Sequence, residues 1–176
     1  RTVPAGVPTT AAPTGPETGG VTAWSVYRGG DAFLGRLRAG DSPRAVWTAL
    51  PGQGRTGGWP AALAQAALAT ASGGRGTVVV LPDAHDVDRL AQALVEAGVP
   101  GWSPQHAAEQ PDVACFVPLT ADLGPTPRYR NFLAVLRGEA QIVVGTRAAA
   151  FAPVADLGLA VCWDDVDAMH QERRAP

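Results

Sequence analysis

Five short apolar runs, spaced along 176 residues with turns and helical stretches between them, constrain this chain more than any other feature. The runs are Ala45–Leu50, Thr77–Leu81, Val113–Val117, Gln141–Val144 and Leu157–Trp163. Runs of this length that are nearly continuous in apolar residues suit strands covered on both faces, and parallel strands need crossovers of the kind helices supply. Thr77–Leu81 and Leu157–Trp163 fit that pattern best. The expected fold class is α/β, built on a mainly parallel sheet.

The intervening segments carry helix signals. Asp31 is placed to cap a helix over Ala32–Ala39, with Phe33, Leu34 and Leu37 on one side and Gly40 at its end. Pro60 is expected to open a helix through about Ala71, because its missing N–H costs nothing in the first turn. Gly73-Gly74 stops it. A third helix spans Asp86–Ala97, with Val87, Leu90, Leu94 and Val95 inward and Gly98 closing it. Thr126 and Pro127 lead into a fourth, ending near Leu136, whose inner stripe is Phe132, Val135 and Leu136. Pro100–Pro111 has prolines and no period, and is expected to be loop. Residues 1–24 are expected to form a disordered or extended linker of Pro, Gly and Thr, leaving residues 25–176 as the folded lobe. With no methionine before Arg1 and no terminating element at Pro176, both ends are expected to continue into a longer parent.

All 14 basic residues are arginines, and 16 acidic residues leave a net charge of −2, so no overall basic field draws in nucleic acid. Arginine does cluster over Arg28–Arg55 and Arg128–Arg147; such blocks are either solvated helix faces or phosphate contacts. Cys115 and Cys162 sit in apolar runs without a C-x-x-C partner and are expected to be two buried free thiols, not metal ligands. No stretch has the length a membrane span needs, and a cytoplasmic location is expected.

Chemistry in an open parallel sheet belongs at the carboxyl ends of its strands. After the first run comes Gly52-Gln53-Gly54-Arg55-Thr56-Gly57-Gly58-Trp59. This has the frame of a phosphate-binding loop, G-x-x-x-x-G-K-[ST], in which the Lys reaches the β- and γ-phosphates and the hydroxyl holds Mg²⁺. Gly52, Gly54 and Gly57 keep the frame, but Gly58 and Trp59 stand where the Lys and the hydroxyl residue belong. The chain has no lysine at all.

The later strand ends tell the same story. The stretch RYRNFLAVLRGEAQIVVGTRAAAFAPVADLGLAVCWDDVD, over Arg128–Asp167, resembles the PriA family of replication restart proteins, also called primosomal protein N-prime. In that family the pattern is E-R-x-x-x-W, then G-x-A-x-I-V-x-G-T-R-S-A-x-F-A-P, then L-G-L-I-I-V-D-E-E-H-D. Its most specific matches here are Ile142-Val143-Val144-Gly145-Thr146-Arg147, Phe151-Ala152-Pro153 and Leu157-Gly158-Leu159. The resemblance runs from about Arg28 to Arg174 and implies the first RecA-like lobe of a helicase, a three-layer αβα fold.

It also marks where this chain departs from the family. Trp163 falls on the Mg²⁺-holding Asp, Asp164 and Asp165 fall on the two Glu, and Val166 replaces the His. Loss of both cationic centres implies a lobe that does not hydrolyse ATP, with the two indoles either ordinary core residues or fillers of the vacated nucleotide volume. Thr146 and Arg147 stand where the family contacts DNA; Arg147 either holds phosphate or pairs with a carboxylate. His170 is expected to be exposed. The resemblance further implies branched or single-stranded DNA at stalled forks and other primosome proteins as partners, no cofactor in this segment, and zinc on Cys clusters elsewhere in the parent. An active helicase lobe and a ligand-free spacer are the alternative readings.

Overall fold

The computed structural model describes residues 22–51 and 58–171. The expected linker lies almost wholly outside them, as do Gly52, Gly54, Arg55 and Gly57. Four parallel strands form one sheet: β1 (Gly76–Val80), β2 (Phe116–Leu119), β3 (Ile142–Gly145) and β4 (Leu157–Cys162), in the order β2-β3-β1-β4. The helices are α1 (Gly30–Arg38), α2 (Gly58–Ser72), α3 (Ala84–Glu96), α4 (Pro104–Glu109) and α5 (Pro125–Leu136).

Side chains alternate across the sheet and each face has its own cover. Val79, Ile142, Val144 and Phe116 pack with Leu63 and Ala67 of α2 and Leu90 and Leu94 of α3. Val78, Val143, Val117 and Leu119 pack with Ala134 and Val135 of α5. Helices therefore lie on both faces, the three-layer αβα arrangement. Ile142, Val143 and Val144 are fully buried, as a strand covered on both sides must be. Outside this sandwich α1 packs on α2 through Leu34, Leu37, Ala62 and Ala66.

Several local expectations are corrected. Ala45–Leu50 is not a strand: Val46 is wholly exposed, the Leu50 amide donates to the Tyr27 hydroxyl at 3.0 Å, and Trp47 packs against the core. A side chain takes the backbone donor a ladder would need. Asp31 does not cap α1; Gly29 does, in the left-handed conformation at φ 81, and Asp31 accepts from the Thr22 hydroxyl instead. Pro60 is the third residue of α2, not its first. The expected loop Pro100–Pro111 contains α4, because the Ser103 hydroxyl accepts the His106 N–H at 3.0 Å and Pro104 follows the cap.

Strand β2 begins three residues later than expected and includes Pro118, which an edge strand tolerates. The buried stripe of α5 is Asn131, Ala134 and Val135, while Phe132 and Leu136 are partly exposed. Asn131 is held inward by its amide, which donates to the Pro118 carbonyl at 2.9 Å. Val95 of α3 likewise faces outward. As the other edge, β4 exposes Leu157, Ala160 and Cys162. So one thiol, not two, is buried.

Cys115 is that thiol, donating to the Glu139 carbonyl at 3.1 Å. Burial, and then the Glu139 carboxylate, push its pKa from 9.0 up to about 11. Thiolate is thus costlier in the fold than in the unfolded chain, so stability is whole below about pH 9.0 and falls as pH rises towards about 11. Thermal melts across that window are expected to show a loss that Cys115→Ala reduces.

Candidate functional site

Strands β1, β3 and β4 end side by side. The Leu81 N–H donates to the Gly145 carbonyl at 2.8 Å, and the Trp163 N–H to the Val80 carbonyl at 2.9 Å. This brings the turns Leu81-Pro82-Asp83, Gly145-Thr146-Arg147 and Trp163-Asp164-Asp165 to one end of the sheet. Gly145 is required there, since a Cβ would collide with the Leu119 carbonyl oxygen and lie 2.9 Å from the Ala149 Cβ. Asp83 is committed as the cap of α3, accepting the Asp86 N–H at 2.9 Å.

The site itself is aromatic. Trp59, second residue of α2, stacks on Trp163 with ring centroids 4.6 Å apart and planes at 20°. Trp47 packs on Trp163 at 5.4 Å and Trp24 on Trp47 at 4.9 Å, so four indoles run in series. The Trp24 indole N–H donates to the Ala62 carbonyl at 2.7 Å, tying the row to α2. On the outer side the Arg89 guanidinium lies 4.8 Å from the Trp59 ring centre while pairing with Asp86 at 3.1 Å. Each ring pair contributes about 0.5–1.5 kcal/mol beyond its buried area, and the cation about 0.5–1 kcal/mol more.

The structure therefore joins Trp59 to Trp163, which are far apart in the chain. Gly58 opens α2 at φ 67. Asp164 and Asp165 are exposed, and Asp164 holds a left-handed turn at φ 50 whose carbonyl accepts the Asp167 N–H at 2.9 Å. Thr146 is half-buried and leads into the 3-10 turn Arg147–Phe151, its carbonyl accepting the Ala149 N–H at 2.7 Å. Arg147 is exposed and donates to the Gln171 carbonyl at 2.9 Å, a backbone partner that neither sequence reading named. His170 is half-buried rather than exposed: its Nε2 lies 2.9 Å from the Trp163 carbonyl oxygen. Arg147 and His170 together hold the segment after β4 against the sheet end.

Three members of this site were not foreseen: Trp47, Arg89 and His170. Trp47 was hidden inside an apolar run read as strand. Arg89 had a signal, since it follows Asp86 by three residues on a helix and is the one base in an acidic stretch. Cys162, near the same end, has its thiol pushed up by partial burial and then by Asp165. Among the described residues no group of three or more His, Cys, Asp or Glu is placed to hold a metal ion. Nor is any described helix long and apolar enough to cross a membrane.

No protein-family model matches the chain. Individual proteins do. A protein named probable replication restart protein PriA from Mycobacterium tuberculosis (strain ATCC 25618 / H37Rv) is 41% identical over 153 residues, covering 87% of this chain and 21% of that protein. Those of Mycobacterium bovis (strain ATCC BAA-935 / AF2122/97) and Mycobacterium leprae (strain TN) are 41% and 40% identical over the same length. The chain spans about a fifth of the length of these relatives (21%). Over those 153 residues this chain, with its parallel αβα sheet, is homologous to one segment of proteins named probable replication restart protein PriA.

Proposed function

We propose that this chain is a DNA-binding lobe, without ATP hydrolysis, of a cytoplasmic protein that recognises stalled replication forks and supports reloading of the replicative helicase with other primosome proteins. The name its relatives share supports the restart role. The stack of Trp59 on Trp163 carries the non-hydrolysing reading. In the family pattern those positions hold a hydroxyl and a carboxylate that bind Mg²⁺, which takes oxygen ligands. Indoles offer none, and the two rings stack on each other with centroids 4.6 Å apart, which supports this reading. The residues present do not fit a magnesium nucleotide, and no catalytic step is assigned through one. Phosphoryl transfer depends on positioned positive charge; Gly58 supplies none, and Arg89 is engaged by Trp59 and Asp86. Zinc is proposed only for parts of the parent outside this segment.

On the DNA side, Thr146 and Arg147 are the proposed backbone contacts, a hydroxyl and a guanidinium that hold phosphate without reading sequence. Donation to the Gln171 carbonyl orients the Arg147 guanidinium.

Calorimetry with Mg-ATP is expected to give no binding heat, and the nucleotide to leave Tm unchanged; a seated nucleotide, or DNA-stimulated phosphate release, refutes the non-hydrolysing assignment. In urea denaturation, Trp59→Ala and Trp163→Ala are each expected to cost about 2 kcal/mol, with a coupling of about 1 kcal/mol in the double mutant. Additive effects would mean the rings do not act as a pair. In fork-DNA titrations, Arg147→Ala should weaken binding and lower the salt slope by about one unit. A lobe that only spaces its neighbours would bind no fork DNA.

A further inference from the structure

On the α5 face of the sheet, opposite the face that carries the indole row, lies a cavity of about 320 Å³. Leu119, Pro125, Arg128, Tyr129, Phe132 and Ala148 line it. Two of these are aromatics that the core leaves uncovered: Tyr129 is 65% exposed and Phe132 37%. The same helix buries Asn131, whose amide donates to the Pro118 carbonyl. The rim is cationic. Arg128 lines it, and helix α5 carries Arg128 and Arg130 and no acid. Asp122, exposed in the turn before α5, is the nearby carboxylate in sequence.

An aromatic recess with the Arg128 guanidinium in its lining matches the two halves of a nucleotide. Every base has a π-face that stacks on an aromatic ring whatever its identity, and the phosphates on either side supply the negative charge. We propose that this recess takes an unstacked base of single-stranded DNA while a flanking phosphate meets Arg128. The proposal rests on the DNA-binding reading above and deepens it, adding base stacking to contacts that otherwise see only the backbone. An acidic peptide would satisfy the same charges without needing Tyr129 as a platform.

The test uses the 176-residue chain, a labelled oligothymidylate and an abasic strand of equal length, with binding followed by anisotropy. The parent chain should bind thymidylate about tenfold more tightly than the abasic strand. Tyr129→Ala should erase that preference and leave the salt slope unchanged, while Tyr129→Phe, which keeps the ring, should preserve it. Because Tyr129 is exposed, both variants should melt with the parent, and a Phe132→Ala variant repeats the test from the other wall. Equal affinity of the parent for both strands, or no effect of Tyr129→Ala while Arg147→Ala still lowers the slope, overturns the base pocket and leaves DNA binding standing. Displacement of both strands alike by polyglutamate, with no thymidylate preference, also overturns it. Failure of both strands to bind overturns the DNA-binding reading itself.

Discussion

The contact between Trp47 and Trp163 connects the segment before α2 to the sheet. Behind it stand Trp24, Tyr27 and Phe33, which hold α1 against α2; ahead of it stand Trp59 and Arg89. Trp47 and Val161 pack against both the cluster under α1 and the cluster under α3, so they are where the two apolar groups meet. The stretch around Trp47 makes no strand ladder and depends on side chains for its place. Trp47 supplies the apolar part, the Tyr27 hydroxyl satisfies one amide, and Arg75 bridges the Gly40 carbonyl to the Leu157 carbonyl on β4 at 2.9 and 2.7 Å.

The strand ends thus serve two opposed faces differently. On the α2 and α3 face Trp47, Trp59 and Trp163 pack together beyond the end of β4. On the α5 face the same sheet end leaves aromatics uncovered beside arginines. The divergence follows from side chains rather than topology, since the strand order is that of an ordinary parallel sheet. Two tryptophans stack on one face, and on the other an asparagine takes a helical core position.

The sheet was legible because its strands are apolar almost without interruption: Thr77–Leu81 and Gln141–Val144 lie within one residue of β1 and β3. What misled was chemistry that acts across the chain. Nothing local to Ala45–Leu50 says that its amide will meet Tyr27, and nothing local to α5 says that Asn131 will face a carbonyl on β2. Alternation also could not tell an edge from a centre, so the exposure of β4 and its cysteine was missed. At the site, Trp59 and Trp163 stood out by falling on two positions of one motif, whereas Trp47 belongs to no motif and His170 had only its neighbours. Ser103-Pro104 was a readable start signal for α4, overridden by the prolines around it.

Pro118 has one further consequence. It lies in β2, at the border of the sheet, without an N–H, and its carbonyl already accepts from Asn131. A foreign strand arriving on that side would find the donor missing and the acceptor engaged at the same residue, which spoils the register before it can propagate. Among the described residues, lateral growth of the sheet is therefore blocked at β2, where the Phe116 N–H and carbonyl are also paired with the Pro100 carbonyl and the Trp102 N–H.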